Sequence, residues 1–389
     1  TLFPYTTLFR SAYNALITYV IPGSPAAQAG LERGDWIMKV DTSYISKKYE
    51  TYLLQGTKAV KLTLGEWKEV EIEDEEDGNE GGDGEDEGPT MEYRVVPIDD
   101  PVEMPAAQIV EDNPVHKYEI IESPVKKIRV GYLMYNSFTA GTKAEPEKYN
   151  NELRSVSQKF KEAGVQAVIL DLRYNEGGSM DCVQLLGTIL TSADRLGEPM
   201  AYLEYNDKNT DKDATILFGT DREINLNLHS LIAITSGTTM GAPEMLIRSL
   251  FLEDTYPIAT VGSSTKGQNV ATEQFINEEF LWSVNPVVCT VYNSQHDTYG
   301  AISPATDLKV SETTIDGSTN YSEFLPFGTF DKDGKSERLL KIAIGVLDGT
   351  YPPKDDETPE ESTTQTRFKV EKSVSSPASR RFSSKGLRL

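Results

Sequence analysis

Basic residues are scarce in this chain. Its 389 residues hold 38 Lys and Arg against 61 Asp and Glu, a formal net charge of −23. A surface of that sign has no basic stripe to displace counterions from phosphates, which excludes nucleic acid as a partner class. Cysteine is nearly absent. Cys182 and Cys289 are too few for a disulfide framework or a zinc site, and no CxxC occurs. The three histidines, His116, His229 and His296, have no partners at metal-ligand spacing, so neither a metal nor an organic cofactor is expected. A histidine-based triad has little to draw on. No apolar run approaches the length that crosses a membrane.

What is present is a globular composition, 38% hydrophobic and 25% charged, in a chain long enough for two domains with sizeable cores. The first eleven residues, TLFPYTTLFRS, show no hydrophobic period and no basic stretch ahead of an apolar run. They are not a signal peptide. They read as one frame of a DNA-sequencing adapter, and residues 1–11 are set aside as an artefact of cloning or assembly. A second anomaly is EDEEDGNEGGDGEDE, Glu73–Glu87, with ten acidic residues and no basic one. Its spacing fits no EF-hand, and its glycines and charge predict a disordered loop over 73–89.

Between these stretches lies ALITYVIPGSPAAQAGLERGDWIMKVD. A β-rich run, Ala15–Ile21, stops at Pro22-Gly23. Ser24 stands as a helix N-cap with Pro25 at the first helical position. A short helix over Ala26–Ala29 closes on Gly30, and Asp35–Val40 reads as another strand. This resembles the second half of a PDZ domain, in which a helix and a strand form a groove for an extended peptide C-terminus. VKLTLGEWKEVEIED and MEYRVVPI alternate as two strands on either side of the acidic loop, a hairpin that finishes the module. The Pro-rich, acidic DDPVEMPAAQIVEDNP, Asp99–Pro114, is the expected connection. The domains are therefore a partial PDZ domain over 12–103 and a second domain over 104–351.

From KKIRVGYLMYNSF onward the pattern becomes strand, helix, strand. Leu153, Val156 and Phe160 recur near helical spacing and that helix ends on Gly164. VQAVILDLRY and SLIAITS are continuous apolar runs, as buried parallel strands are. MDCVQLLGTIL and PEMLIRSLF read as helices, and YPIATVGSS as a further strand. The alternation predicts an α/β domain with a central sheet between helices. Residues 352–389 turn Pro-, Ser-, Thr- and charge-rich and are expected to be disordered. Seven basic residues against one acidic mark Arg367–Leu389, either a genuine basic tail or a second reading-frame artefact.

Functional residues in α/β sheets collect at the C-terminal ends of strands. Three segments stand there: DLRYNEGG (Asp171–Gly178), TSGTTMGAPE (Thr235–Glu244) and GSSTKGQN (Gly262–Asn269). With GYLMYNSF, GAISPATDLKV and the PDZ-like half, they resemble the bacterial C-terminal processing (tail-specific) serine protease family over Ala12–Gly349. The resemblance implies a crotonase/Clp-protease-like α/β core behind a truncated, mostly β PDZ domain. It also implies peptide-bond hydrolysis near protein C-termini, with extended peptides or protein tails as partners, in the periplasm or cell envelope.

The family reads DLRGNPGG where this chain has its first segment, so Gly177 and Gly178 match a glycine loop that gives backbone N–H groups to an oxyanion hole. The second segment resembles SASASE, in which a serine three residues before the glutamate is the nucleophile. The matching residue here is Gly241. Ala242 matches the second oxyanion amide, and Pro243 suits the first turn of the helix. The third resembles GExTxGKN, whose lysine is the general base; Gln268 stands in its place. An amide takes no proton near neutral pH. Loss of a serine nucleophile costs about a millionfold in turnover and leaves roughly 10³–10⁴ over water, which is useless against a peptide bond. The expectation is a pseudoprotease that binds peptides. The alternative is an active peptidase, either through a displaced Thr239/Lys266 pair or with the catalytic Ser and Lys hidden by sequencing errors. Thr239 and Lys266 lie two residues before Gly241 and Gln268, about 6.5 Å along an extended chain. Ser236, near the strand end, is a weaker candidate, and a truncated gene product without a role is a third reading.

Overall fold

Six consecutive residues from Asn14 are buried, and Ile17, Thr18 and Tyr19 among them favour a strand enclosed on both faces. The computed structural model describes residues 5–9, 14–46, 54–72, 90–277, 279–280, 282–310, 312, 324–352, 370–375 and 387–388. The acidic stretch 73–89 lies outside them. The chain divides into two units, Thr1–Asp112 with Ile315–Leu325 and Ser362–Arg381, and Asn113–Thr314 with Pro326–Glu361 and Phe382–Leu389. The division at Asp112/Asn113 falls inside the expected connection but later than the expected boundary at 103/104. Val102–Met104 pairs with Val60–Leu62 and belongs with the first unit.

That unit is a mostly antiparallel β structure. Its strands are β1 (Tyr5–Phe9), β2 (Asn14–Tyr19), β3 (Trp36–Val40), β4 (Ser43–Tyr44), β5 (Val60–Ile72), β6 (Thr90–Pro97) and β7 (Val102–Met104). The sheet runs Val370–Ser375, β1, β2, β3, β5, β6, with β4 on β3 and β7 on β5. Helix α1 spans Pro25–Gln28, capped by the Ser24 hydroxyl, which accepts from the Ala27 N–H at 3.2 Å. Ala15, Ile17, Ala26, Leu31, Ile37, Leu62 and Met104 form its core. Two strands lie in stretches that the sequence left without an element. Tyr5–Phe9, in the stretch set aside as an artefact, is a strand paired with β2. Val370–Ser375, within the tail expected to be disordered, pairs with β1. Tyr, Thr and Phe in the first segment and Val in the second suit an extended ladder, and each is the other's partner, a long-range pairing that composition does not reveal.

In the second unit the strands are β8 (Val115–Glu122), β9 (Arg129–Tyr135), β10 (Ala167–Asp171), β11 (Pro199–Tyr205), β12 (Ala214–Leu217), β13 (Leu231–Thr235), β14 (Ile258–Gly262), β15 (Val270–Glu273), β16 (Phe275–Asn277), β17 (Trp282–Val284) and β18 (Val287–Tyr292). Its helices are α2 (Lys148–Glu162), α3 (Met180–Leu190), α4 (Ala242–Leu250) and α5 (Arg338–Asp348). The central sheet runs β14-β13-β10-β9-β8. The first four strands are parallel and β8 is antiparallel at the edge. Every residue of β10 and β13 is buried, which explains their unbroken apolar sequence. Leu153, Val156 and Phe160 of α2 are buried as their spacing predicts. A second, antiparallel sheet runs β12-β11-β18-β15 and ends on Leu387–Arg388, which lies within 352–389. Among the described residues no helix is long and apolar enough to cross a membrane. The chain thus carries a mostly β unit and an α/β unit with a mixed sheet.

Candidate active site

The three motif segments follow β10, β13 and β14, neighbouring parallel strands of the central sheet, at their C-terminal ends. Arg173, in the loop after β10, is among the largest fully buried side chains of the described residues. Its guanidinium pairs with Asp171 at 2.7 Å, Glu337 at 2.8 Å and Glu312 at 3.1 Å, and stands over the Phe327 ring. Burial by itself pulls its pKa down, but Asp171, Glu337 and Glu312 outweigh that and hold the pKa well above its ordinary value. A buried charge persists only with partners of this quality. The Tyr132 hydroxyl completes the cluster by donating to Asp171 at 2.8 Å.

With Arg173 fixed, its backbone anchors the next loop. The hydroxyls of Ser236 and Thr238 donate to the Arg173 carbonyl, and that of Thr239 donates to the Leu172 carbonyl at 2.9 Å. Asn175 is fully buried and ties three segments. Its side chain donates to the Tyr135 carbonyl at 2.8 Å and accepts from the Gly177 N–H at 3.0 Å, while its carbonyl accepts from the Met240 N–H at 3.1 Å. Gly178 needs its lack of a side chain. It has φ +143°, and a Cβ there would lie 2.2 Å from the Phe138 carbonyl oxygen.

Gly241 caps α4 with φ +70° and ψ −109°, a conformation that glycine adopts readily and a side chain does not. The Glu244 carboxylate, fully buried one turn along α4, is the hub beneath it. Oε2 accepts from the Gly241 N–H at 2.9 Å and the Gln268 N–H at 2.8 Å. Oε1 accepts from the Gly267 N–H at 2.6 Å and from the Thr265 hydroxyl. Thr265 in turn accepts from the Ile302 N–H at 2.8 Å. One carboxylate therefore ties the start of α4 to the loop after β14.

These bonds sort the residues singled out from the sequence. Gly241 and Gln268 come together through Glu244. The Gln268 side chain is half-buried, with its amide 3.4 Å from the Val270 carbonyl. Gly177 is in the right loop, but its N–H is engaged by Asn175. Among the described residues the Gly178 and Ala242 N–H groups find no acceptor, and Ala242 heads the helix dipole of α4. Thr239 is fully buried; its hydroxyl also accepts from the Ser236 N–H at 3.0 Å. The Lys266 N–H donates to the Thr239 carbonyl at 3.0 Å, yet the Lys266 side chain is exposed. Sequence reasoning missed the positioning work of Arg173, Asn175, Glu244 and Thr265. Only Glu244 carried a local signal, an acidic residue three positions after a helix N-cap.

Amide donors at a helix N-terminus are thus framed by loops at the ends of parallel strands. The sequence matches the model of peptidase family S41 over residues 129–284 and that of the PDZ domain over residues 16–63. A Bacteroides fragilis protein described as an S41 protease is 37% identical, with 89% of this chain and 82% of that chain covered and a TM-score of 0.72. The chain belongs to peptidase family S41. The photosystem II D1 C-terminal processing protease also matches, at 17% identity over 80% of this chain and 74% of that chain, with a TM-score of 0.42 that adds nothing to the assignment. No curated protein matches.

Proposed function

We propose that this chain is a family S41 member that holds extended peptides or protein C-terminal tails without cutting them. The observation that carries the reading is Gly241 at the nucleophile position, at the N-terminus of α4 with its N–H on Glu244. It has no atom to attack with. Gln268 at the base position has an amide that accepts no proton near neutral pH. The N–H groups of Gly178 and Ala242 remain able to bind a carbonyl or carboxylate oxygen. The bonding of Thr239 also supports this reading. Its hydroxyl is buried and committed to Leu172 and Ser236, while the Lys266 side chain is exposed, so a displaced pair lacks a free nucleophile beside a desolvated base. By family resemblance we place the action in a bacterial cell envelope, which fractionation and immunoblotting of the source cells would check.

The test is cleavage of an unfolded, tailed substrate by the full chain and by its Gly241→Ser/Gln268→Lys double variant. The expected result is an inert parent and a cleaving double variant. A parent that cuts, and stops cutting on Thr239→Ala or Lys266→Ala, overturns the proposal.

A further inference from the structure

Strand β15 begins two residues after Gln268 and is paired on both sides. On one side Val270 faces Thr290 and Ala271 faces Cys289 of β18. On the other, Thr272 faces Arg388 and Glu273 faces Leu387, antiparallel. Remove that short pair and β15 becomes the bare edge of its sheet, a row of N–H and C=O groups ready to template another extended chain. The pairing has side-chain content as well, since Leu387 packs partly buried against the hydrophobic core of the α/β unit.

Direction matters here. An antiparallel chain on β15 runs its carboxyl-terminal side back toward Gln268, four positions before Thr272, about 14 Å along the strand. A peptide docked in the register of Leu387–Arg388 therefore feeds its carboxyl-terminal end toward the amide donors of the site. The other end of such a peptide passes the hairpin of β16 and β17, where Phe275, Ile276 and Trp282 are exposed.

Charge identifies the occupant. From Gly267 to Leu308 the sequence has no Lys or Arg, and β15 and the hairpin carry Glu273 and Glu279. From Phe382 to Leu389, the end of the chain grouped with this unit, it has two basic residues and no acidic one. A stretch without basic residues is thus paired with one without acidic residues.

We propose that the outer edge of β15 is a docking strand for extended basic peptides with a leucine at the place of Leu387, and that the chain's own Leu387–Arg388 segment occupies it in cis. A peptide in trans must displace that segment. The proposal rests on the peptide-holding reading above and names the chemistry of the peptide held.

The test uses the full chain and its Leu387→Asp variant, with a fluorescein-labelled peptide of sequence RRFSSKGLRL followed by anisotropy at low salt. Membership of the same chain gives the cis segment an effective concentration on the order of millimolar, so releasing it should tighten peptide binding by about tenfold or more. A peptide carrying aspartate in place of that leucine should bind neither chain, and added salt should weaken the native pairing several-fold. Hydrogen exchange of the β15 amides gives a second readout. Exchange should quicken in the Leu387→Asp variant and slow again when the peptide is added. Equal affinity of the two chains, indifference to the leucine, or unchanged exchange over residues 270–273 would overturn the proposal. If docking fails while the Gly241→Ser/Gln268→Lys variant still gains cleavage, only this inference falls. If docking holds and that variant never cuts, the reading of the site falls instead.

Discussion

Replacing Glu244 by glutamine keeps the shape of the side chain and removes its charge and one of its two accepting oxygens. In the parent, four donors converge on the carboxylate: the Gly241 and Gln268 N–H groups on Oε2, and the Gly267 N–H and Thr265 hydroxyl on Oε1. A glutamine amide places NH₂ at one of the two positions. At the Oε2 position it faces two backbone donors that cannot turn away. At the Oε1 position the Thr265 hydroxyl can rotate to accept, leaving the Gly267 N–H alone without an acceptor, so this orientation should be preferred. Even then one buried donor is orphaned, at about 1–3 kcal/mol, and the bonds that remain fall from about 1.5–3 kcal/mol each toward the roughly 0.5–1.5 kcal/mol of a neutral bond. We expect Glu244→Gln to cost about 2–5 kcal/mol. Because the chain has two units, one unfolding curve is a poor measure. Hydrogen exchange at the Gly267 and Gln268 amides, beside thermal unfolding, is the better assay. A cost under about 1 kcal/mol with unchanged exchange at those amides would refute the role of Glu244 as the tie between the two loops.

Gly178→Ala should destabilise the α/β unit by at least about 2 kcal/mol, from strain at φ +143° and a Cβ 2.2 Å from the Phe138 carbonyl oxygen; denaturant unfolding reads it. Burial, aided by Asp181 and Glu147, pushes the Cys182 thiol up to about 12, and burial raises that of Cys289 too. Neither should react with a disulfide reagent at pH 8 until the chain unfolds, so rapid labelling of the folded chain would contradict their burial. Burial raises the Asp348 pKa, but the Val125 and Lys126 N–H groups outweigh it and hold the folded value below the ordinary one. Its stabilisation is therefore complete above about pH 4 and fades as pH falls through the lower folded value. Asp348→Asn should flatten that part of the acid limb of a stability–pH curve, and an unaltered limb would count against it.

The architecture was legible where one strand or helix carries its own signal. Apolar runs such as AVILD and LIAIT announce buried parallel strands, and Ser24-Pro25 announces a helix start that occurs at that place. The three site loops were legible because strand ends and glycines mark them. What stayed hidden depends on partners distant in sequence. Nothing near Arg173 says that Glu312 and Glu337 will meet it. Nothing near Tyr5–Phe9 says that Val370–Ser375 will pair with it. The acceptor of the Gly177 N–H is a side chain two residues away, so the motif suggests two equivalent amides where the bonding leaves one open.

On the reading proposed above, the site keeps its form without its chemistry, and the bonding explains how. The bonds that hold the loops are made by Arg173, Asn175, Thr239 and Glu244, and several of them end on backbone groups. Glu244 in particular holds the N–H groups of residues 241, 267 and 268, not their side chains. Any residue other than proline at 241 or 268 supplies the same donor. Exchanging a nucleophile and a base at those positions therefore removes no bond that the frame needs. At φ +70°, a non-glycine residue at 241 would hold about 1–3 kcal/mol of strain that glycine avoids. A chain freed from cutting peptides gains stability by placing glycine there, while its amide donors stay in position to bind them.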